Sequence, residues 1–330
     1  MKKEIVTVVT GGTGLVGSHL VDYLLEKDHK VRCIVRKTSN LRWLKDKPIE
    51  IFDSGLFDKD KLKEILKDAD YVFHVAGVVK AKKPEGYFNG NVETTRSLLD
   101  VLREVNPNIT RFLYVSSLTA CGPSLSGDHC TEKTLPHPIT NYGRSKYEAE
   151  KLVETYMKKI PITIVRPPAV YGERDTEIYL YFKTYMNGLL SMIGFNKKLV
   201  SIVHVSDLVK GIYLAATNEK SKDELYFISS EKYYTWPEIG NAIEKATGKK
   251  AIKIRLPHFI VYIVAGFAQF FAMFSKNAAT FNLEKARDWV QDAWTCDVTK
   301  AVNELGYRQE IPLEEGIQRT IDWYKEMNWL

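Results

Sequence analysis

"TVVTGGTGLVGSHLVDYLL", residues 7–25, joins a short apolar run to an amphipathic helical pattern through three glycines, Gly11, Gly14 and Gly17. The first glycine permits a tight turn, and the second lets the backbone approach a diphosphate. The third lets the helix pack closely on its strand. The N-terminus of that helix attracts negative charge. Thr13, Leu15 and Val16 belong to the same turn. A glycine triplet alone is a weak signal, because many turns are glycine-rich. This one follows the first apolar strand and opens the first helix, which makes it a dinucleotide-binding turn.

The pattern continues outward from that turn. Residues 4–10, 30–36, 49–53, 70–76, 110–117 and 161–167 read as apolar strands, with helical segments at 15–27, 58–67, 91–105 and 142–159 between them. Alternating strands and helices, with strands too apolar to face water, predict an α/β fold: a doubly wound parallel sheet covered on both faces, of the Rossmann type. The dinucleotide-binding domain is expected over residues 1–171 and completed by about 198–230. A smaller substrate lobe, interleaved with it, is expected over 172–330.

At the end of the second strand, "IVRKTSN" (34–40) places Arg36 and Lys37 where NAD-binding chains commonly carry an acid for the adenosine ribose. A carboxylate there repels a 2′-phosphate, whereas a guanidinium grips it. NADP(H) is therefore favoured, with NAD(H) as the alternative.

Bulk properties exclude several classes. The 330 residues carry a net charge of +6, but the cations are spread among acids along the whole length. The densest group, Lys80, Lys82 and Lys83, lies in no nucleic-acid-binding module, so a solvated surface is expected and no nucleic acid. Cysteines at 33, 121, 130 and 296 have no metal-ligand spacing, so no metal is expected, and free thiols suit a reducing cytoplasm. The N-terminus runs directly into a strand and lacks the pattern of a secretory signal.

A tyrosine one turn before a lysine on a helix can act as a proton donor whose pKa the ammonium lowers. Four such pairs occur, beginning at Tyr23, Tyr142, Tyr147 and Tyr179, so the spacing alone decides nothing. On the helix at 142–159, Tyr142, Lys146, Ala149, Val153 and Tyr156 share one stripe of buried character. Tyr147 and Lys151 fall on a charged face, since five residues turn a helix about 140°. Tyr142 should face the sheet and Tyr147 the solvent. "FLYVSSLTACG" (112–122) ends a strand with Ser116 and Ser117, where a parallel sheet presents its ligands. A Ser117 hydroxyl there can donate to a developing oxyanion while Tyr142 transfers a proton. Lys146 would hold the tyrosinate and the nicotinamide ribose.

Taken together, "TGGTGLVG", "YVFHVAG", "NVETTRSLLDVL", "YVSSLTACG", "YGRSK" and "IVRPPAVYGERD" resemble, in order, the extended short-chain dehydrogenase/reductase (NAD-dependent epimerase/dehydratase) family. The resemblance implies that Asn91 joins Ser117, Tyr142 and Lys146 in a catalytic tetrad, and that Thr119 touches substrate. It places Val75, Ala76 and Gly77 along the cofactor and Pro167 near the nicotinamide amide. It also implies a homodimer through the helices at 91–105 and 142–159. Two departures stand out. Gly55 occupies the place of an acid that commonly meets adenine, with Asp53 two residues earlier. Ala169 stands where sugar-nucleotide epimerases carry an asparagine.

"RPPAVYGERD" is closer to the 3β-hydroxysteroid dehydrogenase and dihydroflavonol reductase branches. That resemblance implies hydride transfer between nicotinamide and a secondary alcohol or ketone of an apolar small molecule. The alternative is a nucleotide-sugar epimerase or dehydratase, which needs a diphosphate clamp; Arg174, Arg255 and Arg287 are its candidates. A non-catalytic NADPH-sensing protein is disfavoured by the complete tetrad. Residues 256–275 contain no Asp, Glu, Lys or Arg. They read first as a buried or pocket-lining helix, with a peripheral membrane contact, or less readily a membrane span, as the other readings.

Overall fold

A computed structural model describes residues 4–125, 127–274 and 281–330. Seven parallel strands form the main sheet: β1 (Ile5–Thr10), β2 (His29–Ile34), β3 (Glu50–Phe52), β4 (Tyr71–His74), β5 (Arg111–Val115), β6 (Ile162–Arg166) and β7 (Glu224–Phe227). Their spatial order is β7-β6-β5-β4-β1-β2-β3. The winding reverses between β1 and β4, and that is where an open parallel sheet leaves a crevice at its carboxyl ends.

The strands are apolar because both faces are covered. On one face α1 (Leu15–Glu26) and α6 (Val205–Thr217) pack around Val9, Leu20, Leu24 and Ile212. On the other, α2 (Lys59–Leu66), α3 (Thr94–Val105) and α5 (Asn141–Glu154) enclose Leu62, Leu98, Phe112 and Val153. Thr140 caps α5 by accepting from the Gly143 amide at 3.2 Å, which sets where the helix begins. Between β5 and α5 lies the short helix α4 (Leu118–Cys121).

The remaining chain builds a second core around Phe182, Tyr185, Ile243, Ile321 and Tyr324, where α7 (Trp236–Thr247) meets α10 (Leu313–Glu326). A capping box between Thr235 and Glu238 starts α7. The aromatic stretch 172–198 contains a helix at Tyr179–Met186 and a strand at Leu189–Ile193, which pairs in parallel with Ile252–Leu256.

One expectation is corrected here. Helix α8 (His258–Met273) lies on the surface, and only Val261 and Ala265 are buried. It rests on α9 (Leu283–Val290) through a small cluster with Ala286, and nothing among the described residues covers its other side. Lack of charge cannot distinguish a buried helix from one whose apolar face is left open. Among the described residues no helix is long and apolar enough to cross a membrane. Ser275 of the uncharged stretch lies outside the described residues.

Candidate active site

The glycine turn has the geometry its residues call for. Gly11 sits at φ 75°, and a Cβ there would run into the backbone of Val75 and Ala76 after β4. A Cβ on Gly17 would strike the Gly11 carbonyl, so α1 can approach the turn only as glycine. Gly14 is the N-cap of α1, and its amide donates to the Gly11 carbonyl at 3.0 Å. Thr13, Leu15 and Val16 are partly exposed around it. Arg36 and Lys37 lie just past β2, both exposed, with no ion-pair partner among the described residues.

The end of β4 leads to a convergence. A Cβ on Gly77 would lie 3.2 Å from Asn91 Oδ1 and 3.7 Å from Lys146 Nζ, so loop, π-turn and helix α5 meet at one point. Asn91 is buried in a π-helical turn at Asn89–Glu93, a distortion common at functional sites. Its Oδ1 accepts from the Val78 amide at 2.7 Å, and its Nδ2 donates to the Val78 carbonyl and to Ser145 Oγ. The carboxamide thus clips the loop after β4 to α5.

Ser117 and Tyr142 are brought together by a close helix contact. A Cβ on Gly143 would strike the Thr119 carbonyl, so α4 and α5 can approach this closely only with glycine at that position. Ser117 Oγ accepts from both the amide and the hydroxyl of Thr119, at 3.2 and 2.9 Å. Its own hydrogen is therefore what it has left to donate. Pro167 is buried, and its carbonyl accepts from the Leu118 amide, tying the end of β6 to the same turn.

Electrostatics here follow burial. Lys146 donates to the Val115 carbonyl at 2.8 Å and lies 4.4 Å from the Tyr114 ring centre. Burial pulls its ammonium down to about 7, against the opposing carboxylate of Glu150. Burial pushes the Tyr142 phenol up to about 12, and a hydrogen bond with Ser117 pulls the other way. An ammonium-lowered phenol was expected; desolvation moves it the other way. Glu150 itself grips Arg166 of β6 in a buried bidentate pair at 2.9 and 2.6 Å, one turn beyond Lys146. Tyr147 is partly exposed; Lys151 lies over its ring and pairs with Glu148.

A pocket of about 50 Å³ opens over Tyr142. Tyr87, Thr140 and Val79 line one side, and Glu284, Lys285 and Asp288 of α9 the other. Sequence reasoning missed this second wall. Glu284 accepts from the Asn141 amide, and Lys285 pairs with Glu177 at 2.7 Å. Asp288 Oδ1 is buried without a hydrogen-bond partner among the described residues, and burial raises its carboxyl to about 7, with Glu284 adding to the rise.

The structure does not bring the three arginine candidates into this pocket. Arg174 pairs with Asp22 of α1 at 2.8 Å and stacks on Trp43. Arg255 donates to the Phe195 carbonyl, and Arg287 lies 3.8 Å from Glu284 on the exposed side of α9.

Against known proteins, the model of the NAD dependent epimerase/dehydratase family matches residues 7–229, more than half of the chain. The chain belongs to that family. This epimerase/dehydratase-family chain is accordingly an NAD(P)-dependent enzyme of the extended short-chain dehydrogenase/reductase type. It is 29% identical over 326 residues to a ceramide reductase of Caulobacter vibrioides (strain NA1000 / CB15N), covering 98% of this chain and 96% of that one. The crystal structure of gox2253 superposes with a TM-score of 0.82 at 27% identity, over 98% of both chains. The UDP-glucuronic acid 4-epimerase of Bacillus cereus, solved in complex with NAD, shares the fold at a TM-score of 0.79 and 23% identity, over 98% of this chain and 99% of that one.

Proposed function

We propose that this chain is an NADP(H)-preferring oxidoreductase that interconverts a secondary alcohol and ketone on an apolar small molecule. The observation that carries the reading is the make-up of the pocket over Tyr142. Among the described residues that line it there is no arginine, its two lysines, Lys80 and Lys285, are both paired with Glu177, and Glu284 and Asp288 contribute carboxyls. Such a wall repels the diphosphate of a sugar nucleotide and tolerates a neutral ligand. The similarity to a ceramide reductase and Ala169 in place of the epimerase asparagine support the same side.

The residues around the glycine turn fit a dinucleotide. Gly11, Thr13, Gly14, Leu15, Val16 and Gly17 would hold its diphosphate at the N-terminus of α1, and Val75, Ala76, Gly77 and Pro167 would flank the rest. Bound nicotinamide would supply the hydride. Tyr142, kept protonated by its raised pKa, gives its proton to the carbonyl oxygen as the hydride reaches the carbon, so a ketone becomes a carbinol. Ser117 donates to that same oxygen, having Thr119 behind it as donor. Lys146 holds a ribose hydroxyl and steadies the tyrosinate left behind. Asn91 positions the loop and α5, and Arg36 with Lys37 meets the 2′-phosphate.

Loss of NADPH absorbance is the direct test, run against 3-ketosteroids, other apolar ketones, and UDP- and dTDP-sugars. Ketone-dependent oxidation should fall about 10²–10⁴-fold in Tyr142→Phe and stay unchanged in Tyr147→Phe. Equal loss in both variants would refute the assignment of α5 faces. Conversion of a sugar nucleotide without net oxidation would replace the reductase reading by the epimerase one.

A further inference from the structure

We propose that α8 docks this protein onto the surface of an anionic lipid bilayer. The helix is apolar around most of its circumference. Its covered stripe runs through Val261 and Ala265, whereas Phe259, Ile263, Phe267, Phe270, Phe271 and Phe274 are exposed, the last at 78%. At 100° per residue these side chains span roughly 120° of arc. Phe270 lies edge-on to Phe271 and Phe274 at 5.7 and 5.5 Å, so the face is a set aromatic surface. Soluble monomers rarely leave so continuous a patch in water.

Charge identifies the occupant. From Lys249 to Phe274 there is no Asp or Glu, and Lys249, Lys250, Lys253 and Arg255 lead into the helix, all exposed. An apolar helix behind a run of cations is complementary to a leaflet of anionic headgroups. A second copy of the chain fits less well, since the same stretch of its chain offers no Asp or Glu to meet the cation run. Sixteen residues make a helix about 24 Å long, short of the roughly 30 Å hydrocarbon core, so α8 lies in the interface and does not cross it. Trp289 on the neighbouring α9 is half exposed and packed on Phe281 at 4.9 Å, an amphipathic ring suited to headgroup depth.

Docking would place the pocket wall beside the bilayer. Ala286 of α9 supports α8, while Glu284, Lys285 and Asp288 of the same helix line the pocket over Tyr142. An apolar ketone dissolved in the membrane then reaches Tyr142 along α9 without crossing water. That access route rests on the reductase reading; the docking itself does not.

Flotation of the full chain with vesicles tests the docking without any enzymatic readout. Vesicles of phosphatidylcholine with about a quarter phosphatidylglycerol should carry the protein at low salt, and phosphatidylcholine alone should carry far less. Lys253→Gln should weaken partition about five-fold, and Phe267→Glu with Phe271→Glu should abolish it with an unchanged melting temperature. Wild-type protein that stays below anionic vesicles, or a double variant that floats equally well, overturns the proposal. A lipid-free dimer in sedimentation velocity that dissociates in the double variant also overturns it, and gives the face to a second copy. NADPH oxidation with a water-soluble ketone, followed in parallel, reads the reductase proposal separately.

Discussion

At the scale of single residues, the site depends on which side chains are deprived of water. Tyr142 and Lys146 sit one turn apart, yet burial moves the phenol up and the ammonium down. Their spacing and partner strand were legible in "YVSSLTACG" and "YGRSK", because helix and strand periodicity say which way a side chain points. The sense of the pKa shifts was not legible, since it depends on how tightly unrelated segments close over the pair. Arg36 is the simplest residue to test. Its exposed guanidinium has no partner to lose among the described residues, so Arg36→Asp should leave stability unchanged. Removing one charge-assisted contact and adding a repelling carboxylate should shift the ratio of kcat/KM from NADPH towards NADH by about ten- to a hundred-fold or more. An unaltered ratio from paired initial-rate measurements would remove Arg36 from the cofactor site.

At the scale of elements, glycines set the distances. The contact between α4 and α5 closes over Gly143, which holds Ser117 near Tyr142. Gly143→Ala must push the Thr119 carbonyl away and carry Ser117 with it. Activity should fall at least ten-fold, with a loss of about 1–3 kcal/mol in stability from overpacking, while affinity for the dinucleotide changes little. Calorimetric titration with the cofactor, beside a melting curve, checks that separation. Regular elements of the sheet half were readable because their patterns are local: a glycine turn, six apolar strands and amphipathic helices between them. Helix α8 was not, because an uncharged segment carries no periodicity to say which face is covered. The π-turn around Asn91 was equally hidden, being a small change in helical pitch that leaves composition untouched.

At the scale of the whole molecule, the pocket is assembled from both ends of the chain. Glu284 and Asp288 face Tyr142 across a separation in sequence that no local spacing marks, so only the folded chain brings them together. The cost appears in stability. An unfolded Asp288 gives up its proton near 3.8, whereas the native one keeps it to about 7. Between those values the native state binds more protons, so stability should fall as pH rises from about 4 to 7 and flatten above. Asp288→Asn should remove that part of the slope and leave the protein more stable at pH 8, as urea unfolding across the range would report. A slope identical to that of the wild type would mean that the carboxyl is solvated.

The division of the pocket between early and late segments also orders events on the ribosome. Every residue assigned to the dinucleotide, from Gly11 to Pro167, is made well before α9. At about 5–20 residues per second, α9 follows Lys146 by on the order of ten seconds. Strand β7 closes the edge of the sheet in that interval. A nascent chain stalled after β7 should therefore be retained on immobilised dinucleotide while still lacking the wall that shapes the substrate pocket. The cofactor would then act on the growing chain as a folding aid before it acts as a reagent.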